Sequence, residues 1–236
     1  MFAAHRGATE RALLRTVNAD LRSNTYLLAA PGPTGPGSHC VVVDAGLDSN
    51  ALDASLETCG WQPVAVVCTH GHFDHIGGAS RLQQRFNIPV YLHEADLKIA
   101  KLSNFLMAAL KIKGKLVMPE FTLINDKTPT LELAGRQFTF HGLPGHTPGS
   151  AGILVDGLLF SGDSLYARRT ALSRLPGEDH AQLRASLNGL FAWINPDVMV
   201  CPGHGDTDTL KEILLHNEEL RTFMSSSPDM TAPALT

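Results

Sequence analysis

The sequence has no long run of basic residues and no long apolar run. Its 236 residues carry a formal net charge of −4. A protein that binds the nucleic-acid backbone needs a positive stripe to release counterions, so this charge balance argues against that class. No apolar stretch approaches the roughly 18 residues of a membrane-spanning helix. We therefore expect no nucleic-acid partner and no membrane partner.

Cysteine is scarce as well, and no two of the four cysteines form a CxxC pair. Most of them lie in apolar, strand-like runs, which is typical of buried, reduced thiols in a cytosolic protein. The opening stretch MFAAHRGATERALLR lacks the apolar segment of a signal peptide. These features predict a cytoplasmic protein.

Disorder is excluded by composition, because 44% of the residues are hydrophobic and the net charge is low. A chain of this length can bury a large core within one domain. We predict a single domain over residues 1–225 and a flexible tail over 226–236.

Apolar strand patterns alternate with helical patterns along the chain, as in α/β proteins. Strands are predicted at 11–18, 23–30, 39–46, 63–70, 88–93, 130–142, 152–163 and 197–204. Helices are predicted at 50–60, 79–86, 94–121, 180–194 and 209–224.

Residues 94–121 form the most distinctive of these segments, an apolar helical insertion that also carries several lysines. Three interpretations stay open for it: an ordinary packed helix pair, a lid over a functional site, or the face of a homodimer.

The segment THGHFDHIGG, from Thr69 to Gly78, carries the clearest chemical signal. In an extended loop, residues i and i+2 point the same way, so His70 and His72 can chelate one ion. Asp74 and His75 lie further along and can face a second ion. Imidazole and carboxylate ligands suit a borderline divalent metal, with zinc as the first candidate.

Three later residues complete the pattern, each in a loop after an apolar strand. His146 lies in LPGHTPGS, Asp163 in LFSGDSLY and His204 in CPGHGD. Loops at strand ends are where open sheets collect ligands, so we expect these side chains to join the first motif.

HxHxDH followed by GHTPG, GD and PGHG resembles the metallo-β-lactamase superfamily of metallohydrolases, in motif order and in spacing. The resemblance spans essentially the whole chain. It implies an α/β fold, a four-layer αββα sandwich with the metal site at the sheet edges.

The resemblance also implies a set of roles. His70, His72 and His146 would hold one metal ion, Asp74, His75 and His204 a second, and Asp163 would bridge the two. The cofactors would be two divalent ions, zinc first, with iron or manganese as alternatives. A hydroxide that bridges the metals would attack the substrate, and Asp74 would orient this nucleophile and handle its proton.

Asp163 indicates the branch of the family, because antibiotic-cleaving β-lactamases carry Cys or Ser there. The sequence GDSLYARRTALSRLPGED is similar in length to the glyoxalase II-like pattern GDTLF-AGSIGRTDLPGGD, but Leu172 stands at the family's Arg. Arg168 and Arg169 are candidate contacts for an anionic substrate group, and Tyr166 is a candidate donor to a substrate oxygen.

The resulting hypothesis is a dinuclear hydrolase of a small acyl compound, either a thioester or a lactone. One alternative is a mononuclear iron enzyme that resembles the persulfide dioxygenases. A further alternative is a phosphodiesterase or nuclease of the same superfamily.

Overall fold

Two six-stranded sheets face each other at the centre of the structure, and helices cover their outer faces. This computed structural model describes residues 12–19, 21–47, 49–127, 129–170, 172–173, 175 and 177–226. The arrangement confirms the predicted αββα sandwich. The proposed tail lies outside the described residues except for Ser226.

The first half of the chain builds one sheet, in the order β1-β2-β3-β4-β5-β6. Its strands are β1 (Leu13–Val17), β2 (Asn24–Ala29), β3 (His39–Val43), β4 (Gln62–Val67), β5 (Val90–His93) and β6 (Phe121–Ile124). Its helices are α1 (Ser49–Cys59), α2 (Phe73–Ile76), α3 (Ala79–Phe86) and α4 (Leu97–Ala109), with a 3₁₀ turn at Glu94–Asp96 before α4. Strands β3 to β6 run parallel, so their carboxyl ends meet at one edge.

The second half builds the other sheet, in the order β12-β11-β10-β9-β8-β7. Its strands are β7 (Thr130–Leu133), β8 (Arg136–Gly142), β9 (Ala151–Val155), β10 (Leu158–Gly162), β11 (Met199–Pro202) and β12 (Asp208–Thr209). Its helices are α5 (His180–Phe191), α6 (Leu210–His216) and α7 (Glu218–Ser225). Strands β10 and β11 are parallel and the other neighbours are antiparallel.

The four layers follow from strand periodicity, because successive side chains of a strand point to opposite faces. In β3, Val41 and Val43 pack between the sheets, whereas Cys40 and Val42 pack against the helices of the first half. Both faces of this strand are therefore buried, which explains its continuous apolar run.

Two predicted helices are shorter or more broken than the sequence suggests. The helix predicted to run to residue 121 ends at Ala109, and Lys111 then adopts a φ of 58°. The Asn104 side chain receives a hydrogen bond from the Leu116 backbone nitrogen and donates one to its carbonyl oxygen, which holds this segment in a loop. The helix predicted at 209–224 is interrupted at Asn217, which separates α6 from α7.

Across the described residues, no helix combines the length and the apolar character that crossing a membrane requires.

Candidate metal centre

The seven predicted ligand residues converge at the edge where the two sheets meet. The first motif follows β4 in one sheet, and the other three residues follow strands of the other sheet. The residues brought together are His70, His72, Asp74, His75, His146, Asp163 and His204.

His70, His72 and His146 form one buried group whose nitrogen atoms lie within 4.8 Å of one another. The Nε2 atom of His146 lies 3.0 Å from Nδ1 of His72. The ring centroids of His70 and His146 are 4.8 Å apart. Three imidazoles that converge this closely can hold one ion.

Asp74, His75 and His204 form a second group with the same spacing limit of 4.8 Å. The Oδ2 atom of Asp74 lies 3.2 Å from Nε2 of His204 and 3.5 Å from Nε2 of His75. Asp74 and His75 belong to the short helix α2, which begins directly after His72. The first motif thus supplies ligand candidates to both groups.

Asp163 lies between the two groups. Its Oδ1 atom is 3.5 Å from Nε2 of His75, and its Oδ2 atom is 3.5 Å from Nε2 of His204. Oδ2 also lies 3.8 Å from Nε2 of His146. One carboxylate therefore faces both groups.

Several inward-facing atoms of these residues are buried without a hydrogen-bond partner. They include His70 Nε2, His75 Nε2 and Asp163 Oδ1. A buried polar atom without a partner costs free energy, so a cluster of them at one point indicates a ligand. Nitrogen and carboxylate donors in this arrangement fit a divalent transition-metal ion.

The protonation of the first group also suits metal binding. Burial, reinforced by the adjacent imidazoles, lowers the pKa of His70 well below its usual value. The same causes lower the pKa of His72 to about 4. Both rings are therefore neutral at pH 7 and keep a lone pair.

The second group concentrates negative charge. Burial acts to raise the pKa of Asp74 and Asp163, but His75 and His204 outweigh burial and lower both values. Burial acts to lower the pKa of His204, but hydrogen bonds with Asp163 and Asp74 raise it to about 9. These carboxylates attract a cation. Without a metal ion, a proton on His204 balances part of their negative charge.

Two carboxylates that lie just outside the ligand groups were not predicted from the sequence. Asp44 accepts hydrogen bonds from the Thr69 backbone nitrogen and hydroxyl, at 2.8 and 2.7 Å, and its Oδ2 lies 3.0 Å from Nδ1 of His75. Although Asp44 is close enough to His70 and His75 to count as a third ligand group, these hydrogen bonds already use its oxygens. Its position at the end of β3, like that of the other strand-end acids, was the available signal.

Glu178 is the second of these carboxylates. Its Oε1 atom lies 3.9 Å from Nδ1 of His146, the ring nitrogen that points away from His72. Its side chain is only 2% exposed and accepts hydrogen bonds from the Ser173 backbone nitrogen and hydroxyl. No short motif marks such a residue in the sequence.

The three candidate substrate contacts lie after β10. Tyr166 is buried, and burial together with a hydrogen bond to Asp163 raises its pKa well above the usual value. Arg168 forms an ion pair with Asp208 at 2.8 Å, and the guanidinium of Arg169 lies 6.0 Å from the Tyr166 ring centroid. Tyr166 thus lies against the candidate metal centre. Of the two arginines, Arg168 is held in an ion pair, and none is described for Arg169.

Close packing at the centre requires glycine at position 203. A Cβ atom there would lie 2.1 Å from Oδ1 of Asp163 and 2.7 Å from the His75 ring. Its absence lets the loop that carries His204 approach both residues.

A four-layer αββα sandwich with paired His/Asp groups at its sheet edges defines a metallohydrolase-type protein. The chain belongs to the metallo-β-lactamase superfamily, because the family model described as "Metallo-beta-lactamase superfamily" matches residues 19–221.

Two curated relatives illustrate its neighbours within that family. The probable metallo-hydrolase YqgX of Bacillus subtilis (strain 168) is 29% identical over 201 residues, which cover 81% of this chain and 90% of that protein. A hydroxyacylglutathione hydrolase of Yersinia pestis (strain Pestoides F) is 32% identical over 167 residues, which cover 70% of this chain and 57% of that protein.

Solved structures agree with the fold. The BLEG-1 B3 metallo-β-lactamase matches with a TM-score of 0.74 and 26% identity, over 91% of this chain and 100% of that one. TTHA1623 in a di-iron-bound form matches with a TM-score of 0.73 and 31% identity, over 87% of this chain and 98% of that one.

Proposed function

We propose that this protein is a dinuclear metal-dependent hydrolase of small acyl compounds, either thioesters or lactones. The observation that carries the proposal is the position of Asp163, whose Oδ2 atom lies 3.8 Å from Nε2 of His146 in the three-histidine group and 3.5 Å from Nε2 of His204 in the other group. A carboxylate shared by two ligand groups is the arrangement that a two-metal site needs.

The ligand sets divide as the geometry groups them. His70, His72 and His146 would hold one ion, Asp74, His75 and His204 would hold the other, and Asp163 would contact both. Zinc is the first candidate for these ligands, with iron or manganese as alternatives. The di-iron form of TTHA1623, a neighbour at 31% identity, supports a two-metal site. When bound, the two ions supply Lewis acidity, which activates water near neutral pH and polarises a carbonyl oxygen.

Side chains of the protein would then transfer protons and hold the reacting groups in position. Asp74 is 8% exposed, and its lowered pKa keeps it ionised. We assign Asp74 to orient the attacking water and to accept its proton, which it can pass to the leaving group. Tyr166, buried against Asp163, holds that carboxylate in place.

The substrate side favours an apolar acyl group. Leu172 stands at the Arg of the glyoxalase II-like pattern and is 41% exposed, and Arg168 is engaged by Asp208. Arg169 supplies a cationic group near the rim. Each methylene buried on the enzyme adds up to about 0.8 kcal/mol, so three more carbons in the acyl chain improve binding up to roughly 50-fold.

The remaining assignments follow from charge and composition. With a net charge of −4, we expect the partner to be a small molecule rather than a nucleic acid or a membrane, and the few cysteines in strand-like runs favour the cytoplasm. A lid over the metal site and the face of a homodimer both stay open as predictions for residues 94–121.

The test combines metal analysis with a substrate panel. We would load the protein with zinc, iron or manganese, measure the metal per chain, and assay acyl thioesters of increasing chain length, lactones, lactoylglutathione, a β-lactam and a phosphodiester. We expect about two ions per chain and a kcat/KM that rises with acyl length. Asp163→Ser should lower turnover by orders of magnitude, while Asp53→Ser, which changes a carboxylate paired with Arg81 and Arg85, should not.

Other outcomes separate the alternatives. Saturation at one iron per chain with sulfur-oxidising activity would replace the hydrolase with the persulfide dioxygenase-like enzyme. Cleavage of the phosphodiester alone would indicate the nuclease branch. Fast cleavage of lactoylglutathione with no dependence on acyl length would overturn the apolar preference.

A further inference from the structure

Asp96 is a fully buried carboxylate that the reaction outlined above does not use. It closes the 3₁₀ turn before α4 and is 0% exposed. Its Oδ1 atom accepts a hydrogen bond from the Gly149 backbone nitrogen at 2.6 Å. Its Oδ2 atom accepts two more, from the Gly71 backbone nitrogen and the Thr147 hydroxyl, each at 2.7 Å.

All of these donors lie in loops that carry candidate metal ligands. Gly71 separates His70 from His72, and Thr147 directly follows His146. The first pair belongs to the loop after β4 in one sheet, whereas His146 belongs to the loop after β8 in the other sheet. One carboxylate therefore joins the two loops that supply the three-histidine group.

The packing around Asp96 leaves no room for side chains at the two glycines. A Cβ atom at Gly71 would lie 2.8 Å from the Asp96 carbonyl oxygen and 3.0 Å from the Ala100 nitrogen. A Cβ atom at Gly149 would lie 2.7 Å from the Asp96 nitrogen. Both loops thus contact the Asp96 backbone directly, so a movement of this turn would move both.

A buried carboxylate is costly for the fold unless its oxygens are hydrogen-bonded. Burial raises the pKa of Asp96, and the hydrogen bonds from Thr147, Gly149 and Gly71 act against that effect. Asp96 belongs to none of the close ligand groups among the described residues, so it offers no atom to a metal ion itself. Its side-chain hydrogen bonds are all with the two loops that carry the ligands.

We propose that Asp96 is a positioning residue that sets the distance between His146 and the His70–His72 pair and so determines the metal affinity of the three-histidine group. The inference rests on the metal centre proposed above. Without the Asp96 carboxylate, the two loops are still linked by the hydrogen bond from the Ala151 nitrogen to the Thr69 carbonyl oxygen, at 2.9 Å. The loops would keep their fold but lose the fixed separation that a preorganised site needs.

The test is Asp96→Asn, which preserves the size of the side chain. An amide has one acceptor oxygen, and its NH₂ group would face either the Gly71 or the Gly149 N–H, so one donor loses its acceptor. We would titrate metal-free protein with Co²⁺, follow the visible spectrum, and obtain both affinities by competition with a chelator. Titrations of His146→Ala and His204→Ala assign each binding step to its group.

We expect the step of the three-histidine group to weaken at least about 10-fold in Asp96→Asn, which is the lower end of the range for outer-shell substitutions. The step of the Asp74, His75 and His204 group should change little. Thr147→Val, which removes one donor and leaves the carboxylate, should weaken the same step by a smaller factor. The matched control is Asp53→Asn, a carboxylate in the same half of the chain that pairs with Arg81 and Arg85.

Equal weakening of both steps, or a loss of thermal stability in metal-free Asp96→Asn with unchanged affinities, would reduce Asp96 to a structural role and overturn the inference. If Asp96→Asn does not fold, unchanged affinity in Thr147→Val has the same consequence. A wild-type protein that binds no Co²⁺ would instead contradict the proposed function, so the two failures are distinguishable.

Discussion

In His70 and His75, the hydrogen-bond partner on the outer side of each ring determines which ring nitrogen faces the candidate metal site. The Thr69 hydroxyl donates to Asp44, so it can only accept from Nδ1 of His70, 3.1 Å away. Nδ1 of His75 likewise lies 3.0 Å from Asp44. These partners place the proton on Nδ1 in both rings and leave Nε2 free to bind, which is how outer carboxylates and hydroxyls orient metal ligands.

Glu178 should support His146 through its charge, and Glu178→Gln tests this role. The substitution removes a negative charge 3.9 Å from Nδ1 of His146 and keeps the size of the side chain. We expect the affinity of the three-histidine group for zinc to fall about 10-fold, because a negative charge this close to the ring raises the basicity of the imidazole and favours a bound cation. Competition with a chelator measures the change.

The matched control for this substitution is Glu219→Gln, because Glu219 is exposed and accepts only one described hydrogen bond, from the Thr170 backbone nitrogen. An equal loss of affinity in both variants would assign the effect to the net charge of the protein rather than to His146.

The sequence predicted the seven ligand candidates because each lies in a short Gly-rich motif at the end of a strand. Asp44, Asp96 and Glu178 were missed because they act on those residues across space. Asp96 looks like an ordinary acid near a helix start, and Glu178 stands where the glyoxalase II-like pattern has Gly. Only the packing of separate segments brings these carboxylates to the histidines, so no local spacing reveals them.

Among the elements, most strands were predicted, although β6 and the two-residue β12 were not, and helix ends were predicted less well. The strands are apolar on alternate or on both faces, and that pattern is local. The break at Asn217 has no local sequence signal, because it depends on hydrogen bonds to residues that are distant in the chain. Its amide donates to the carbonyl oxygens of Tyr166 and Arg169, and its oxygen accepts from the Leu220 nitrogen at 2.9 Å as the N-cap of α7.

Asn217→Ala should therefore destabilise the protein without touching the metal centre directly. The change removes the cap of α7, which is worth about 1 kcal/mol. It also leaves two carbonyl oxygens without their donor, at about 1–3 kcal/mol if they stay unpaired. We expect the free energy of unfolding to fall by about 2–4 kcal/mol in urea denaturation. Asn188→Ala, at an exposed position of α5, should change it by less than about 0.5 kcal/mol.

At the scale of the whole molecule, the two halves mirror each other around the metal centre. Each half forms one sheet with helices on its outer face, and the sheets share an apolar layer that includes Tyr26 and Phe160. Four ligand candidates come from the first sheet and three from the second. A metal ion bound at this edge would thus join the two halves, in addition to the core between them.

Metal binding should consequently stabilise the entire fold. The converging histidines and carboxylates carry buried atoms without hydrogen bonds, and an ion that satisfies them binds the folded chain far better than the unfolded one. At a free-metal concentration 1,000-fold above its dissociation constant, each site adds about 4 kcal/mol. For a chain of this size, 1 kcal/mol corresponds to about 2–4 °C in the melting temperature, so one filled site should raise it by about 10 °C.

Calorimetry in zinc-buffered solutions and in chelator measures this shift in the melting temperature. Mg²⁺ at the same concentration should produce little shift, because it prefers all-oxygen ligands. A melting temperature that is the same in zinc and in chelator would mean that these side chains do not bind metal in the folded protein.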